Sequence, residues 1–142
     1  MKRILLPFIA IALAACDASI EVYEGDPFSV LENGPWGFAV DDNACETFQH
    51  TFDFSSTKKD FSMHFANLDS KETSKVNYKI LSVEGSTLYT DMEGEDRKDK
   101  NGNLVSWYLV VNDQNSYCWR RSDWGLNSCT NPITRCLNSR RP

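Results

Sequence analysis

From Trp36 onward, apolar and polar residues alternate with the period of a pleated strand. Phe48, His50, Phe52 and Phe54 fall on one face, and Thr47, Gln49, Thr51 and Asp53 on the other. Successive strand side chains point to opposite faces, so this pattern predicts a half-buried strand. Residues 55–60 are polar and turn the chain. Phe61, Met63 and Phe65 then alternate with Ser62 and His64, which predicts a hairpin. Val76, Tyr78 and Ile80 alternate with Lys75, Asn77 and Lys79 in a further strand. Glu84-Gly85 is the next turn, and residues 87–92 form the strand after it. A charged loop over 93–103 leads into residues 105–111, rich in β-branched and aromatic side chains. Residues 112–115 turn the chain back into a strand over 116–121. No stretch holds helical spacing with caps. One helical turn is the most that 66–74 would support, with Asn67 or Asp69 as cap. About seven short strands at close spacing, without internal repeat, predict an all-β antiparallel barrel or sandwich. The segment from Ser122 onward, broken by Gly, Asn and Pro, is expected to be an irregular tail.

The N-terminus follows other rules. Lys2 and Arg3 precede a run over 4–13 that is apolar except for Pro7, and Leu13-Ala14-Ala15-Cys16 follows. Spanning a bilayer takes about 20 apolar residues, so the run is expected to be a removable secretory signal covering 1–15. Leu13-Ala14-Ala15-Cys16 resembles the lipobox of bacterial lipoproteins. That resemblance implies diacylation of the Cys16 sulfur, cleavage just before it, and acyl chains holding the protein on a membrane facing the periplasm. Asp17 resembles an inner-membrane retention signal. Residues 16–34 carry Asp17, Glu21, Glu24, Asp26 and Glu32 with Gly25, Pro27 and an Asn33-Gly34-Pro35 turn. They read as a lipidated cysteine and flexible tether, with Phe28, Val30 and Leu31 available to dock. Residues 35–142 are then the single folded domain.

The chain has 142 residues and a formal charge of −5. Loss of Lys2 and Arg3 with the leader takes this to −7, 13 bases against 20 acids. Phosphate attraction needs a basic face, so no nucleic-acid partner is expected. An acidic domain suits a basic envelope protein. With Cys16 lipidated, Cys45, Cys118, Cys129 and Cys136 remain. An even count in an exported chain predicts two disulfides, with three possible connectivities. No C-x-x-C pair or zinc spacing is present.

Catalytic residues are hard to assemble. His50 and His64 are the only histidines, and alternation aims them at opposite faces, so His50 reads as core or pocket lining and His64 as solvent-facing. Asp41, Asp42 and Glu46 surround Cys45 in a loop with no partner carboxylate signal. Asp99 and Asn101 before Gly102 echo a calcium loop, but Arg97 and Tyr108 occupy ligand positions of that motif. Nucleophile signatures and Gly-rich phosphate loops are missing. Neither an enzyme, a metal nor a cofactor is expected.

The richest segment is Ser116-Tyr117-Cys118-Trp119-Arg120-Arg121-Ser122-Asp123-Trp124. Interleaved Trp, Tyr and Arg make either a recognition surface or a barrel-closing strand in which Arg stacks on Trp. Gly34-Pro35-Trp36 resembles the Gly-x-Trp of lipocalins, in which an Arg of the last strand packs over that Trp. The resemblance implies a small up-and-down barrel closed by Trp36 with Arg120 or Arg121, the latter the chosen partner. A barrel this short is expected to be filled largely by its own Phe, Trp and Met side chains. In a seven-strand barrel Cys45 and the tail would lie at one end, so Cys45 is expected to bond to Cys129 or Cys136. The expected role is a binding lipoprotein holding a small apolar or lipid-like ligand through His50, Phe52, Trp119, Arg120 and Arg121. The alternatives are a protein-interaction module, by analogy with small β-barrel lysozyme inhibitors, and a structural envelope component.

Overall fold

The computed structural model describes residues 22–38 and 44–137. The predicted signal, Cys16, Asp17, Asp41 and Asp42 lie outside the described residues. Eight strands close into one barrel in sequence order, every neighbouring pair antiparallel. They are β1 (Trp36–Phe38), β2 (Phe48–Phe54), β3 (Asp60–Asn67), β4 (Thr73–Glu84), β5 (Thr87–Met92), β6 (Trp107–Asp113), β7 (Ser116–Arg121) and β8 (Ile133–Arg135). Two short helices, α1 (Pro27–Glu32) and α2 (Ala44–Thr47), precede β1 and β2 respectively.

Alternation produces the expected pairing. β2 and β3 align Phe52 with Met63 and Phe54 with Phe61. β6 and β7 align Leu109 with Trp119. Trp36, Tyr117, Leu31, Met63, Leu88, Leu109, Ile133 and His50 are fully buried, so the barrel interior is filled by side chains. The stretch read as a possible helical turn is a tight turn instead. The Asn67 side-chain oxygen accepts from the backbone N–H groups of Asp69 and Ser70, each at 3.0 Å. That bonding gives the backbone an alternative to a helix.

Three expectations are corrected. The tail is not wholly irregular, because residues 133–135 form the eighth strand and pair with both β1 and β7. The tether assigned to 16–34 ends earlier. Asp26 caps α1 by accepting from the Phe28 N–H at 3.1 Å, and Pro27 occupies the first helical turn, where its missing N–H costs nothing. Phe28, Val30 and Leu31 then enter the core, with Phe28 edge-on to Phe54 at 5.1 Å. α1 thus plugs the barrel end at which β2 finishes.

The arginine over Trp36 is also a different one. Arg135 lies 5.4 Å from the Trp36 ring, whereas Arg121 pairs with Asp123 and lies 6.0 Å from Trp107. Trp36 is the neighbour of Arg135 across the β1–β8 seam. Its ring N–H donates to the Leu31 carbonyl at 3.0 Å, and Tyr117 packs edge-on at 5.2 Å. One indole therefore joins α1, the seam and the core.

The disulfides are Cys45–Cys136 and Cys118–Cys129. The first rests on β1. A Cβ at Gly37 would fall 2.8 Å from the Cys45 sulfur and 3.1 Å from that of Cys136, so glycine there makes room for the bridge. The second ties the segment after β7 back onto that strand.

Candidate functional site

α1 closes one end of the barrel, and the other end keeps an apolar mouth. β1 brings Phe38 there, β3 brings Met63 and Phe65, and β4 brings Tyr78. β5 and β6 add Met92 and Trp107, and β7 adds Trp119. With Arg97 and Thr130 they line an open cleft of about 210 Å³. Its walls are aromatic because successive inward positions of these strands carry large rings. Phe61 stacks on Tyr78 at 4.8 Å, and Tyr78 on Trp119 at 5.2 Å. Trp107 meets Trp119 edge-on at 6.3 Å and Trp124 at 6.0 Å. A continuous aromatic file runs from the core to the rim.

Two arginines fix that rim. The Arg97 Nε and Nη2 each donate to Glu95 at 2.6 Å, and the Trp107 ring N–H donates to the same carboxylate at 2.6 Å. The Arg97 guanidinium lies 4.9 Å from the Trp107 ring. Hydrogen bonds from Arg97, with that from Trp107, hold the Glu95 carboxyl down at about 2. Arg121 donates to both Asp123 oxygens at 3.0 and 2.9 Å. Each cation is matched by an acid two residues away, so the rim presents locked aromatic faces rather than net positive charge. Burial raises the Tyr78 hydroxyl to about 12, and it stays neutral in the cleft wall.

The residues expected to bind divide among three places. Trp119 lines the cleft and Arg121 sits at its rim. His50 and Phe52 are buried in the interior. His50 is enclosed by Phe38 at 5.3 Å, Phe65 at 5.4 Å and Phe52 at 6.0 Å, and its Nε2 is hydrogen-bonded to the Tyr117 hydroxyl. Burial pushes the imidazole down to about 4 and the phenol well above its usual range. His50 Nδ1 has no partner. Arg120 points away from the barrel, 5.5 Å from the outer Tyr108 ring. Adjacent strand residues face opposite ways, so Arg120 and Arg121 do not share a site. His64 is exposed and 3.9 Å from Asp53.

Sequence reading missed Phe38, Glu95, Arg97, Met92 and Trp107 as site residues. The signal available was Glu95 two residues before Arg97. Its partner Trp107 is brought in only by folding. The echo of a calcium loop also has a local cause, since Asp99 accepts from the N–H groups of Asn101 at 2.8 Å and Asn103 at 2.9 Å. Among the described residues no cluster of three His, Cys, Asp or Glu side chains is placed to hold a metal. A wider depression, about 540 Å³, lies on the outer face between Asp60, Lys75, Lys79, Asp91 and Glu93. Its charges alternate in sign and do not converge.

No protein-family model, curated protein or solved structure matches the chain. The functional reading therefore rests on the mouth.

Proposed function

We propose that this chain is a non-enzymatic recognition module of the bacterial envelope, anchored through lipid on Cys16, whose barrel mouth takes a small apolar group. The observation that carries the second half is the cleft of about 210 Å³ walled by Phe38, Phe65, Trp107 and Trp119 above a filled core. Pockets for drug-sized ligands run to roughly 300–1,000 Å³. An apolar cavity of about 150 Å³ holds one benzene. The mouth thus suits a single ring or short branched chain, not an enclosed lipid tail. Locked rim arginines favour such a guest by keeping Trp107 in place before binding.

Indole is a suitable probe. Titration followed by two-dimensional NMR is expected to shift the Trp107 and Trp119 side-chain signals at one site, and Trp119→Ala is expected to weaken binding at least tenfold. Laurate is expected not to saturate the same site. One-to-one laurate binding that excludes indole would count decisively against this reading.

The anchor rests on the lipobox resemblance of residues 13–16. Intact mass of protein extracted from membranes is expected to show chain 16–142 carrying acyl groups, and Cys16→Ser is expected to leave the leader uncut. Release of a soluble mature Cys16→Ser protein would remove the anchor from the proposal.

A further inference from the structure

Polar groups stand among the aromatic walls of the mouth, and their kind is one-sided. Besides two indole N–H groups, which can only donate, the cleft is lined by the polar side chains of Tyr78, Arg97 and Thr130. A guanidinium has donors and no acceptor. Thr130 Oγ1 accepts from the Trp119 N–H at 3.0 Å, and the Thr130 N–H donates to the Trp119 carbonyl at 2.8 Å. These two bonds fix the residue and leave its hydroxyl proton to be donated. Burial keeps the Tyr78 hydroxyl protonated as well. No carboxylate is among the described residues that line the cleft. A few placed polar groups orient the ligand of an apolar pocket, and here they match a guest whose oxygens accept.

Arg97 sets the sign. Its Nε and Nη2 hold Glu95, and the opposite edge of the guanidinium, at Nη1, is turned away from that acid. The pair is neutral as a whole but unevenly placed. The Glu95 side chain is 4% exposed, covered by Arg97 and the Trp107 ring N–H, and takes no part in the lining. The Arg97 side chain is 48% exposed and does line the cleft. The result is a fixed dipole with its positive end at the mouth. The Arg97 charge also bears on the Tyr78 hydroxyl, so these two donors address the same space. Charge-assisted hydrogen bonds are roughly twice as strong as neutral ones. The bonds to Glu95 already immobilise Arg97, which removes its ordering cost on binding.

We infer that the guest of the mouth is a small aromatic or branched-chain carboxylic acid, bound as its carboxylate. Its apolar group sits among Phe38, Phe65, Trp107 and Trp119, and its carboxylate accepts from Arg97, Tyr78 and Thr130. This rests on the reading of the mouth as a guest site and adds the ligand class to it. Laurate shares the carboxylate but has a tail too long for the cleft. The chain as a whole carries a charge of −5. A general charge effect would therefore draw cations, and a preference for an anion has to come from the mouth itself.

Four ligands on one scaffold test this with the intact protein at pH 7: indole, indole-3-acetate, its uncharged amide and tryptamine. Each is titrated with the Trp107 and Trp119 side-chain NMR signals as readout. Indole-3-acetate is expected to bind at least tenfold more tightly than indole and at least threefold more tightly than the amide. Tryptamine is expected to bind more weakly than indole. Glu95→Gln with Arg97→Gln leaves the local net charge unchanged and removes the dipole. That double variant is expected to bring the affinity ratio of indole-3-acetate to indole within threefold of one, whatever it does to either affinity alone. A wild-type ratio near one, an amide as tight as the acid, or tighter tryptamine overturns the inference while indole binding keeps the apolar cleft standing. An unchanged preference in the double variant overturns it too, because the anion is then held elsewhere. Binding of none of the four removes the cleft reading itself, and this inference falls with it.

Discussion

Replacing Cys45 and Cys136 together by serine is expected to lower stability by about 4.5 kcal/mol, the chain-entropy value for the 91-residue separation this bridge closes. For a domain of this size that is a fall in Tm of roughly 15–20 °C. The location of the bridge explains why the barrel depends on it. β1 and β8 are three residues each, and β1 aligns with β2 only at Trp36 and His50. The closing seam has few ladder bonds of its own, and the bridge binds the residue after β8 to α2, just before β2. The Cys118–Cys129 bridge closes only 11 residues, for which the same relation gives about 3 kcal/mol as an upper figure. Urea denaturation of the two serine pairs without reductant separates these cases. Equal losses for the two bridges would show that the seam is held by packing at Trp36 rather than by the long covalent loop.

How much of this was legible in the sequence depended on the length over which a pattern had to persist. The β2–β3 hairpin showed itself in three phenylalanines and His50 alternating on one strand and three apolar positions on the next. β8 has three residues, too few for alternation to stand out, and α1 has six, less than two helical turns. The overlooked signal for α1 was local: Asp26 followed by Pro27, a cap residue with proline at the first helical position. The exchange of Arg121 for Arg135 follows from the missed strand. Once β7 is taken as the last strand, its arginines are the only ones available to cover Trp36. In the mouth, Trp119 and Arg121 were legible because interleaved Trp and Arg are unusual in any strand. Arg97 was not, because a charged loop reads as solvated. Its guanidinium finds Trp107 only when the β5–β6 connection folds over the barrel end.

Acid is expected to destabilise the barrel through His50, in a window set by one buried ring. The imidazole is 1% exposed among Phe38, Phe52, Phe65 and Tyr117, and burial takes it from an ordinary 6.5 to about 4. A group that binds its proton more weakly when folded leaves the unfolded chain with more protons bound, so stability falls as pH falls. The His50 contribution is fully present above pH 6.5. It is lost at about 1.4 kcal/mol per pH unit below that and levels off near pH 4. The whole loss is about 3 kcal/mol, a large share of a typical margin of roughly 5–15 kcal/mol. Protonation would place a cation against three phenylalanine rings and force Tyr117, whose own burial keeps it neutral, to serve as the only acceptor. His50→Gln removes the titration and keeps a polar group facing the Tyr117 hydroxyl. Equilibrium denaturation of both proteins at pH 7.5, 6, 5 and 4 gives the test. The change in stability on acidification is expected to be about 3 kcal/mol larger for the wild type than for the glutamine variant, with the divergence beginning near pH 6.5. Parallel curves would mean that the ring takes up its proton in the folded barrel as readily as in water, and that the aromatic enclosure opens to admit it.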